Sequence, residues 1–518
     1  MPPPPDAANV FGPVDYAVLA AYFAVCAFVG WYAGRGQKDT KDYFKGGGRM
    51  PMWAVCLSIL ATETSALTVC SVPGMAYKGD FTYFQFVCGS LLGRILVGSL
   101  FIVAFYRAGI TSVYEYLGLR FGPVTRGTAT LLFLITRTLA NGVRLTAAAF
   151  AIQAATGWSF VVCVVAFTAL TAVYSVFGGI KSIIWTDVLQ FFLFIGGAAI
   201  ALAVILNDVG WAGLRGALDA ASAAGSSKLR IVEPSLDLTV KFTVLSSLIG
   251  GTLLTFASHG TDQDIAQRML TCREGSQGAR AVVWSGIINL PMVLMFLFLG
   301  TCLFAFYHQH PGLNAALPLK NGGINADQLF PHFIVHQLPV GLRGLVIAAI
   351  FAAAMSSTSS AIGALSSVAV IDVYRRLVRT EPDPRRELWV SRVIAVGMSA
   401  ALVGIAMAFA KASDSLLNEG LAVLTYAYGS VLGVFFIGRV TKGRGSDPGN
   451  LAAMVAGIYA VLSLKFNTLL FPALLFKDAG ALPALFARPL AWTWYIVVGF
   501  TVTVAIGVLF PSDPEKTK

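Results

Sequence analysis

Residues 351–360 read FAAAMSSTSS, a run of small residues and hydroxyls inside a longer apolar segment. About 20 apolar residues are enough for a helix to cross a bilayer, so this run is predicted to lie at membrane depth. On a helix, Ser356, Ser359 and Ser360 share one face, and Ser357 lies one position further round. A row of uncharged oxygens favours a small hard cation, whereas close packing of two membrane helices uses the same small residues. The run alone leaves both interpretations open.

The composition indicates the class of protein. Of the 518 residues, 56% are hydrophobic and 12% are charged, about half of the roughly 25% charged residues usual in soluble domains. Hydropathy and charge breaks predict an all-α integral membrane protein with about thirteen transmembrane helices. The predicted bounds are 15–34, 52–77, 82–106, 127–156, 158–177, 183–206, 240–260, 278–307, 341–371, 391–410, 416–438, 448–475 and 489–510. No enzyme is expected, because the Ser, His and Asp residues show no spacing that supports a nucleophile and its base.

The net charge of +11 is distributed unevenly. With the N-terminus outside, the predicted inner loops, Lys181 and the tail carry roughly 23 of the 37 Lys and Arg, as the positive-inside rule requires. We therefore expect the C-terminus inside, and a basic excess that faces anionic lipid instead of nucleic acid. No signal peptide is evident, so the first span is expected to insert the chain into the plasma or inner membrane. The seven Cys have no metal-ligand spacing, and no cofactor or disulfide is predicted.

The second span contains a charge at membrane depth. Residues 58–74 read SILATETSALTVCSVPG, with Glu63 among hydroxyls and Pro73-Gly74 at the outer end. A charge at the centre of a membrane helix costs about 2.5 to 3.5 kcal/mol on insertion scales, so Glu63 is expected to face a cavity in an interrupted helix. The alternative is an ion pair with a neighbouring arginine. Arg94, near the middle of the third span, needs a partner of its own.

Polar residues of the third and fourth spans are further candidates for solute binding. Tyr83 and Gln85 lie among apolar residues of the third span, and Arg144 lies in the fourth. The guanidinium of Arg144 can hold a carboxylate through two parallel hydrogen bonds. An ion pair with Glu63 or Asp187 is the alternative for this arginine.

Asp187 is the second acidic residue predicted within the bilayer. It follows a chain break predicted at Gly178-Gly179. Its carboxylate can take a cation or a proton, and a pair with Lys181 or an arginine is the alternative.

The seventh span is also predicted to be interrupted, by Gly250-Gly251 and by the polar run from His259 to Gln263. His259 and Asp262 are therefore candidates for solute binding, although a lone histidine is more typical of a helix end. Counted from the second span, spans two and seven begin two halves of five spans each. Interruptions in both indicate a binding site near the bilayer midplane of an inverted-repeat transporter.

Segments along nearly the whole chain carry a family resemblance. They are GGGRMPMWAVCLSILATETSA at 46–66, TSVYEYLGLRFG at 111–122, YSVFGGIKSIIWTD at 174–187, GTDQDIAQRML at 260–270, FAAAMSSTSS at 351–360 and IDVYRR at 371–376. Together they resemble the sodium/solute symporter family, which includes the sodium/glucose, iodide, proline and sialic acid cotransporters. The resemblance implies sodium-coupled symport of a small polar organic solute, with a carboxylate or sugar derivative preferred. A membrane-embedded solute sensor or a proton-coupled transporter of the same fold is the alternative.

The resemblance also implies a LeuT-type fold, built from two inverted five-helix repeats, with no obligatory protein partner. The expected divisions are 1–50 for the extracellular N-terminus, an extra first helix and a basic inner loop, 51–206 for the first repeat, 207–239 for an outer loop, 240–440 for the second repeat, and 441–518 for two further helices and a short cytoplasmic tail.

The resemblance further implies two sodium sites and a solute site. Sodium site one matches Ala61, Thr64, Ala353, Ser356 and Ser357. Sodium site two, present in members that resemble the sialic acid transporters, matches Asp187, Ser356, Ser359 and Ser360. In that branch the broken helix offers hydroxyls to the solute. Ser65 and Thr68 match two of them, and Glu63 stands where another hydroxyl is expected.

Overall fold

Nearly all of the described chain is helical. The computed structural model describes residues 11–37, 39–320, 322–378, 383–410, 414–465 and 490–512. Its helices are α1 (Pro13–Ala33), α2 (Thr40–Lys45), α3 (Met52–Glu63), α4 (Ala66–Lys78), α5 (Tyr83–Leu96), α6 (Val103–Arg107), α7 (Val113–Arg120), α8 (Pro123–Thr156), α9 (Phe160–Ala223), α10 (Val244–Gly260), α11 (Gln263–Met269), α12 (Gly275–Gln309), α13 (Pro311–Ala315), α14 (Ala326–Gln337), α15 (Leu342–Val368), α16 (Arg375–Leu377), α17 (Pro384–Phe409), α18 (Asp414–Val440), α19 (Asp447–Lys465) and α20 (Tyr495–Gly507). The strands within these ranges are β1 (Leu319–Lys320) and β2 (Gly323–Ile324), which pair antiparallel.

Many of the helices have the length and apolarity of membrane spans. Eight helical segments of the described chain are long and apolar enough to cross a membrane, and the bent pair of α3 and α4 is a ninth. Helices α8, α10 and α20 occupy three further predicted spans. Only the first part of predicted span 448–475 is described, as α19, and residues 1–10 and 513–518 also lie outside the described chain. The total of thirteen spans and the sides on which the termini lie stay predictions.

The fifth and sixth predicted spans both belong to α9, which changes direction at two glycines. Gly179 has a φ of 55° and Gly210 a φ of 65°, values that favour glycine. A Cβ at Gly179 would also lie 2.6 Å from the carbonyl oxygen of Tyr43. The predicted glycine break is therefore confirmed. Helix α9 continues beyond Gly210, so the first part of the predicted outer loop 207–239 is helical.

The hydroxyl run lies in α15, which is buried among other helices. Each residue of 351–360 is at most 7% exposed. Small residues on both helices allow α15 to pack closely against α9. A Cβ added at Gly197 of α9 would lie only 2.8 Å from the Cβ of Ala349 of α15. Helices α1, α8 and α17 also contact α15. The run thus lies inside the bundle, with its hydroxyls shielded from lipid.

The interruption predicted at Gly250-Gly251 is wrong. Helix α10 passes through both glycines without a break. A Cβ at Gly250 would lie 2.4 Å from the carbonyl oxygen of Thr493, and one at Gly251 would lie 2.8 Å from that of Phe86. These glycines let α10 approach two neighbouring segments closely, while the helix keeps its hydrogen bonds. The span is interrupted later, at Thr261, where α10 ends and the chain turns into α11.

Candidate functional site

Helices α3 and α4 form one span that is broken near its middle. The segments Met52–Glu63 and Thr68–Lys78 are bent by 62° relative to each other. Thr64 and Ser65 have extended backbone at the break, with ψ angles of 93° and 167°. The Ser65 hydroxyl accepts a hydrogen bond from the backbone N–H of Thr68 at 3.4 Å and so caps α4. Non-helical backbone at membrane depth is tolerated where it is buried in protein or lines a cavity, which makes this break the natural place for a ligand.

Glu63, the last residue of α3, is held by Arg94 of α5. The two side chains form an ion pair, and Nη1 of Arg94 donates to the Ser285 hydroxyl at 2.7 Å. Nε2 of His259, near the end of α10, lies 3.8 Å from the same carboxylate. The Arg94 side chain is fully buried, whereas that of Glu63 is 33% exposed. The arginine pair considered as the alternative for Glu63 therefore forms, and part of the carboxylate still faces open space.

Asp187 of α9 is the centre of a second, more deeply buried cluster. Its carboxylate accepts hydrogen bonds from the hydroxyls of Ser58 at 2.5 Å, Thr62 at 3.4 Å and Ser356 at 2.7 Å. Nη2 of Arg268 donates to it at 3.0 Å. These five residues are each at most 2% exposed. The cluster joins α3, α9, α11 and α15 through one carboxylate.

Asp264 extends this cluster through a second carboxylate. Oδ1 of Asp264 lies 3.4 Å from Nη1 of Arg268 and accepts a hydrogen bond from the Ser360 hydroxyl. Its Oδ2 pairs with Arg137 of α8, whose Nη1 lies 3.2 Å from Oδ2 of Asp262. The result is a connected chain of charges across the bundle, called the charge chain below.

The charge chain has three carboxylates and two guanidinium groups, and a third guanidinium, that of Arg144, lies near its Asp262 end. The roles of Asp264 and Arg268 are not among the predictions made from the sequence. Both lie in the segment GTDQDIAQRML at 260–270, four residues apart, a spacing at which opposite charges on a helix face each other.

The residues matched to sodium site one lie where α3 and α15 meet. Ala61 and Ala353 are fully buried, and Thr64 is 1% exposed. The Ser357 hydroxyl donates to the carbonyl oxygen of Ala353 at 3.3 Å, so its oxygen keeps a lone pair for another donor or a cation. Ser356 is matched to both sodium sites. The structure thus places the matched residues on two helices that contact each other.

The residues matched to sodium site two meet at the crossing of α9 and α15. Asp187 and Ser356 are in direct contact, whereas Ser360 donates to Asp264. Ser359 donates to the carbonyl oxygen of Ser356 at 3.0 Å. All four matched residues are at most 1% exposed. The guanidinium of Arg268 lies between the carboxylates of Asp187 and Asp264.

Tyr83 and Gln85 lie at the first turn of α5, against the segment that precedes α10. Nε2 of Gln85 donates to the carbonyl oxygen of Phe242 at 2.9 Å, and its Oε1 accepts from the backbone N–H of Glu233 at 3.3 Å. The Tyr83 ring packs edge-on against Phe242, with centroids 5.3 Å apart. Gln85 therefore already uses both ends of its amide to hold this segment, and Tyr83 flanks it.

Arg144 has no hydrogen-bond or ion-pair partner within the described ranges of the chain. Neither of the two ion pairs considered for it forms, because the two acids hold other arginines. It lies seven residues, about two turns, after Arg137 on α8 and shares its face. It interacts electrostatically with Asp262 and Tyr428, whose hydroxyl donates to Asp262 at 2.5 Å. Arg144 therefore adds an unpaired, partly exposed cation at one end of the charge chain.

Comparison with known proteins identifies the family. A family model described as the sodium:solute symporter family matches residues 43–457. The chain belongs to this family. The sodium/sialic acid symporter SiaT of Proteus mirabilis (strain HI4320) is 30% identical to this symporter over 462 residues, which cover 88% of this chain and 90% of that protein. The human sodium-coupled monocarboxylate transporter 1 is 30% identical over 469 residues, covering 89% and 74% of the two chains.

A solved structure shows the same architecture. It is the substrate-bound outward-open state of a Na+-coupled sialic acid symporter, which matches with a TM-score of 0.83 and 29% identity over 97% of this chain and 99% of that chain. The similarity confirms the predicted LeuT-type fold of a multi-pass membrane transporter. Family membership confirms the predicted class of function, sodium-coupled symport of a small solute.

Proposed function

We propose that this symporter carries sodium together with a small organic carboxylate across the cell membrane. The observation that supports the carboxylate is the unpaired guanidinium of Arg144 beside the charge chain. Arg94, Arg137 and Arg268 each hold a carboxylate of the protein, whereas Arg144 holds none in the described chain. A solute carboxylate supplies the missing partner through two parallel hydrogen bonds. Two relatives are named for sialic acid and for monocarboxylates, which are acids of this kind.

The rest of the solute is proposed to carry hydroxyl or amide groups. Ser65 and Thr68 offer hydroxyls at the helix break, and the exposed part of the Glu63 carboxylate accepts hydrogen bonds. His259 and Asp262 flank the same region from α10 and the turn after it. A hydroxylated carboxylate, such as an acidic sugar derivative, satisfies both the cationic and the hydroxyl-rich parts of this site.

Sodium is proposed to couple to the solute through the two matched sites. Bound at site one, it would take oxygens of the helix break and of Ser356 and Ser357, so that α3 and α15 are joined and the outward-open state is favoured. The Asp187 carboxylate and the hydroxyls of Ser58 and Ser356 that contact it offer oxygens for a second cation at site two. A membrane potential of 100 mV contributes about 2.3 kcal/mol for each charge moved, which drives solute accumulation.

Uptake into proteoliposomes tests this proposal. Each acid of a solute panel is paired with its neutral amide, and an inward gradient of sodium is compared with one of potassium. We expect accumulation of acids, not amides, in the sodium gradient only. Equal uptake of an acid and its amide would contradict recognition of the solute by its carboxylate. Uptake in the potassium gradient would contradict sodium coupling.

The variant Arg144→Gln tests whether Arg144 binds the carboxylate of the solute. A hydrogen bond to a charged group contributes about 1.5 to 3 kcal/mol, so KM for the acid should rise roughly 10- to 100-fold. The thermal unfolding temperature without solute should stay unchanged, because no ion pair within the described chain is broken. Arg280→Gln, at an exposed position of α12, is the matched control and should transport normally.

A further inference from the structure

A polar cavity of about 300 Å³ lies apart from the helix break and the charge chain. Its lining includes Thr40, Lys41 and Lys45 of α2, Thr111 from the turn after α6, and Arg375, the first residue of α16. The sequence predicts all three segments on the cytoplasmic side. We call this space the inner basic cavity.

Two cations of the inner basic cavity have no carboxylate partner. Within the described chain, no acid lies at ion-pair distance from Lys41 or Lys45, and Nζ of Lys45 donates to the carbonyl oxygen of Ile110 at 2.6 Å. Burial lowers the pKa of Lys45, the charge of Glu115 opposes this shift, and the charge of Lys41 adds to it. The two lysines therefore repel each other beside a space that an anion can enter.

The nearby acids are engaged elsewhere. Glu387 accepts a hydrogen bond from the Thr40 hydroxyl at 2.6 Å and pairs with Arg375. Glu115 accepts two backbone N–H groups, including that of Thr111 at 2.7 Å. These contacts shape the walls of the cavity and neutralise Arg375. Neither acid forms an ion pair with Lys41 or Lys45, although the charge of Glu115 partly offsets that of Lys45.

We propose that the inner basic cavity binds a phosphate group, carried by an anionic phospholipid or free in solution. Lys41 and Lys45 supply the charge, and the Thr111 hydroxyl and the 40% exposed side chain of Arg375 supply further donors. The cytoplasmic leaflet is anionic, and basic pockets between membrane helices on that side suit such headgroups.

The position of the cavity gives the bound phosphate a mechanical role. Helix α2 leads into α3, and Arg375 follows α15. A phosphate held between Lys41, Lys45 and Arg375 therefore joins the inner ends of the two helices that meet at the helix break. Such a ligand stabilises the arrangement of these ends seen in this structure, because it binds that arrangement better than a separated one.

Thermal unfolding of the purified full chain tests the proposal in two arms. One arm compares potassium phosphate with potassium chloride at equal ionic strength. The other compares nanodiscs of phosphatidylcholine with and without phosphatidylglycerol, and native mass spectrometry counts the phosphatidylglycerol retained. Stabilisation in the lipid arm alone assigns the phosphate to a headgroup, and stabilisation by inorganic phosphate alone assigns it to a free ion. The proposal is overturned if neither arm raises the unfolding temperature.

Matched variants locate the binding. We expect Lys41→Gln/Lys45→Gln to weaken binding roughly tenfold or more and to lose the stabilisation. Lys442→Gln, at an exposed position in another loop predicted to be inside, should keep it. An equal loss of stabilisation in both variants would indicate that phosphate is attracted to the basic surface in general, and it would contradict binding in the inner basic cavity. If the double variant does not fold, Lys41→Gln alone can be used for the same test, because the Lys41 side chain is exposed and its replacement should not disturb the fold. These experiments do not measure sodium-driven uptake, so a negative result would contradict the phosphate site without bearing on the proposed transport function.

Discussion

Nη2 of Arg268 lies 3.0 Å from Oδ2 of Asp187, and both side chains are at most 1% exposed. The pair connects α11, just after the second broken span, to α9. The same carboxylate accepts the hydroxyl of Ser356, which is matched to both sodium sites. Three contiguous side chains thus connect α11 to the hydroxyl run of α15.

Removal of Arg268 should destabilise the protein strongly. Arg268→Met leaves Asp187 and Asp264 buried without their shared guanidinium, and breaking a buried pair in this way costs about 3 to 5 kcal/mol. Thermal unfolding of the purified protein measures the loss. Arg280→Met, at an exposed position, should change stability little. Equal stability of the two variants would show that the charge chain does not hold the bundle together.

Sodium binding should depend on Ser356 and not on hydroxyls of α15 in general. Ser356→Ala removes an oxygen matched to both sodium sites, so the stabilisation by sodium over potassium should disappear. Ser366→Ala is the matched control, because Ser366 is equally buried on the same helix and donates only to carbonyls of its own helix in the described contacts. A sodium shift that persists in Ser356→Ala, or that is lost equally in both variants, would assign the run to packing.

Glu63 and Arg94 should behave as a coupled pair. Glu63→Gln leaves the fully buried Arg94 without its partner and should lower the free energy of unfolding by about 3 to 5 kcal/mol, whereas Arg94→Gln leaves a partly exposed carboxylate and should cost less. The double variant should lose less than the sum of the single losses, by roughly 0.5 to 3 kcal/mol. Thermal unfolding of the four proteins gives this coupling energy. Additive losses would mean that the ion pair contributes no coupling.

Gly250 should tolerate no side chain. A Cβ there would lie 2.4 Å from the carbonyl oxygen of Thr493, so Gly250→Ala should cost about 1 to 3 kcal/mol by overpacking. A Cβ at Gly397, in helix α17, has no neighbouring atom of the described chain within 4 Å. Gly397→Ala should therefore be neutral, or stabilising by up to about 1 kcal/mol through better helix propensity. Similar unfolding temperatures for both variants would contradict close packing as the reason for glycine at 250.

Local signals were enough to predict several features of this protein. The apolar spans and the breaks at Gly179 and after Glu63 follow from hydropathy, glycine and charge within short windows, because the bilayer penalises each exposed polar group locally. The membrane depth of residues 351–360 follows in the same way. Gly250-Gly251 shows the limit of such signals. The same two residues permit either a helix break or a close approach, and only the neighbouring segments decide between them.

The sequence by itself determined the membrane class, the family and which two spans are broken. Only the tertiary structure decided which arginine meets which acid, that Arg94 holds Glu63, that Arg268 holds Asp187, and that Arg144 has no partner in the described chain. The reason is physical. The hydropathy of a segment is enough to predict that a charge within it is buried. An ion pair depends on the distance between two segments that are far apart in the chain. The pattern of residues within either segment does not contain that distance.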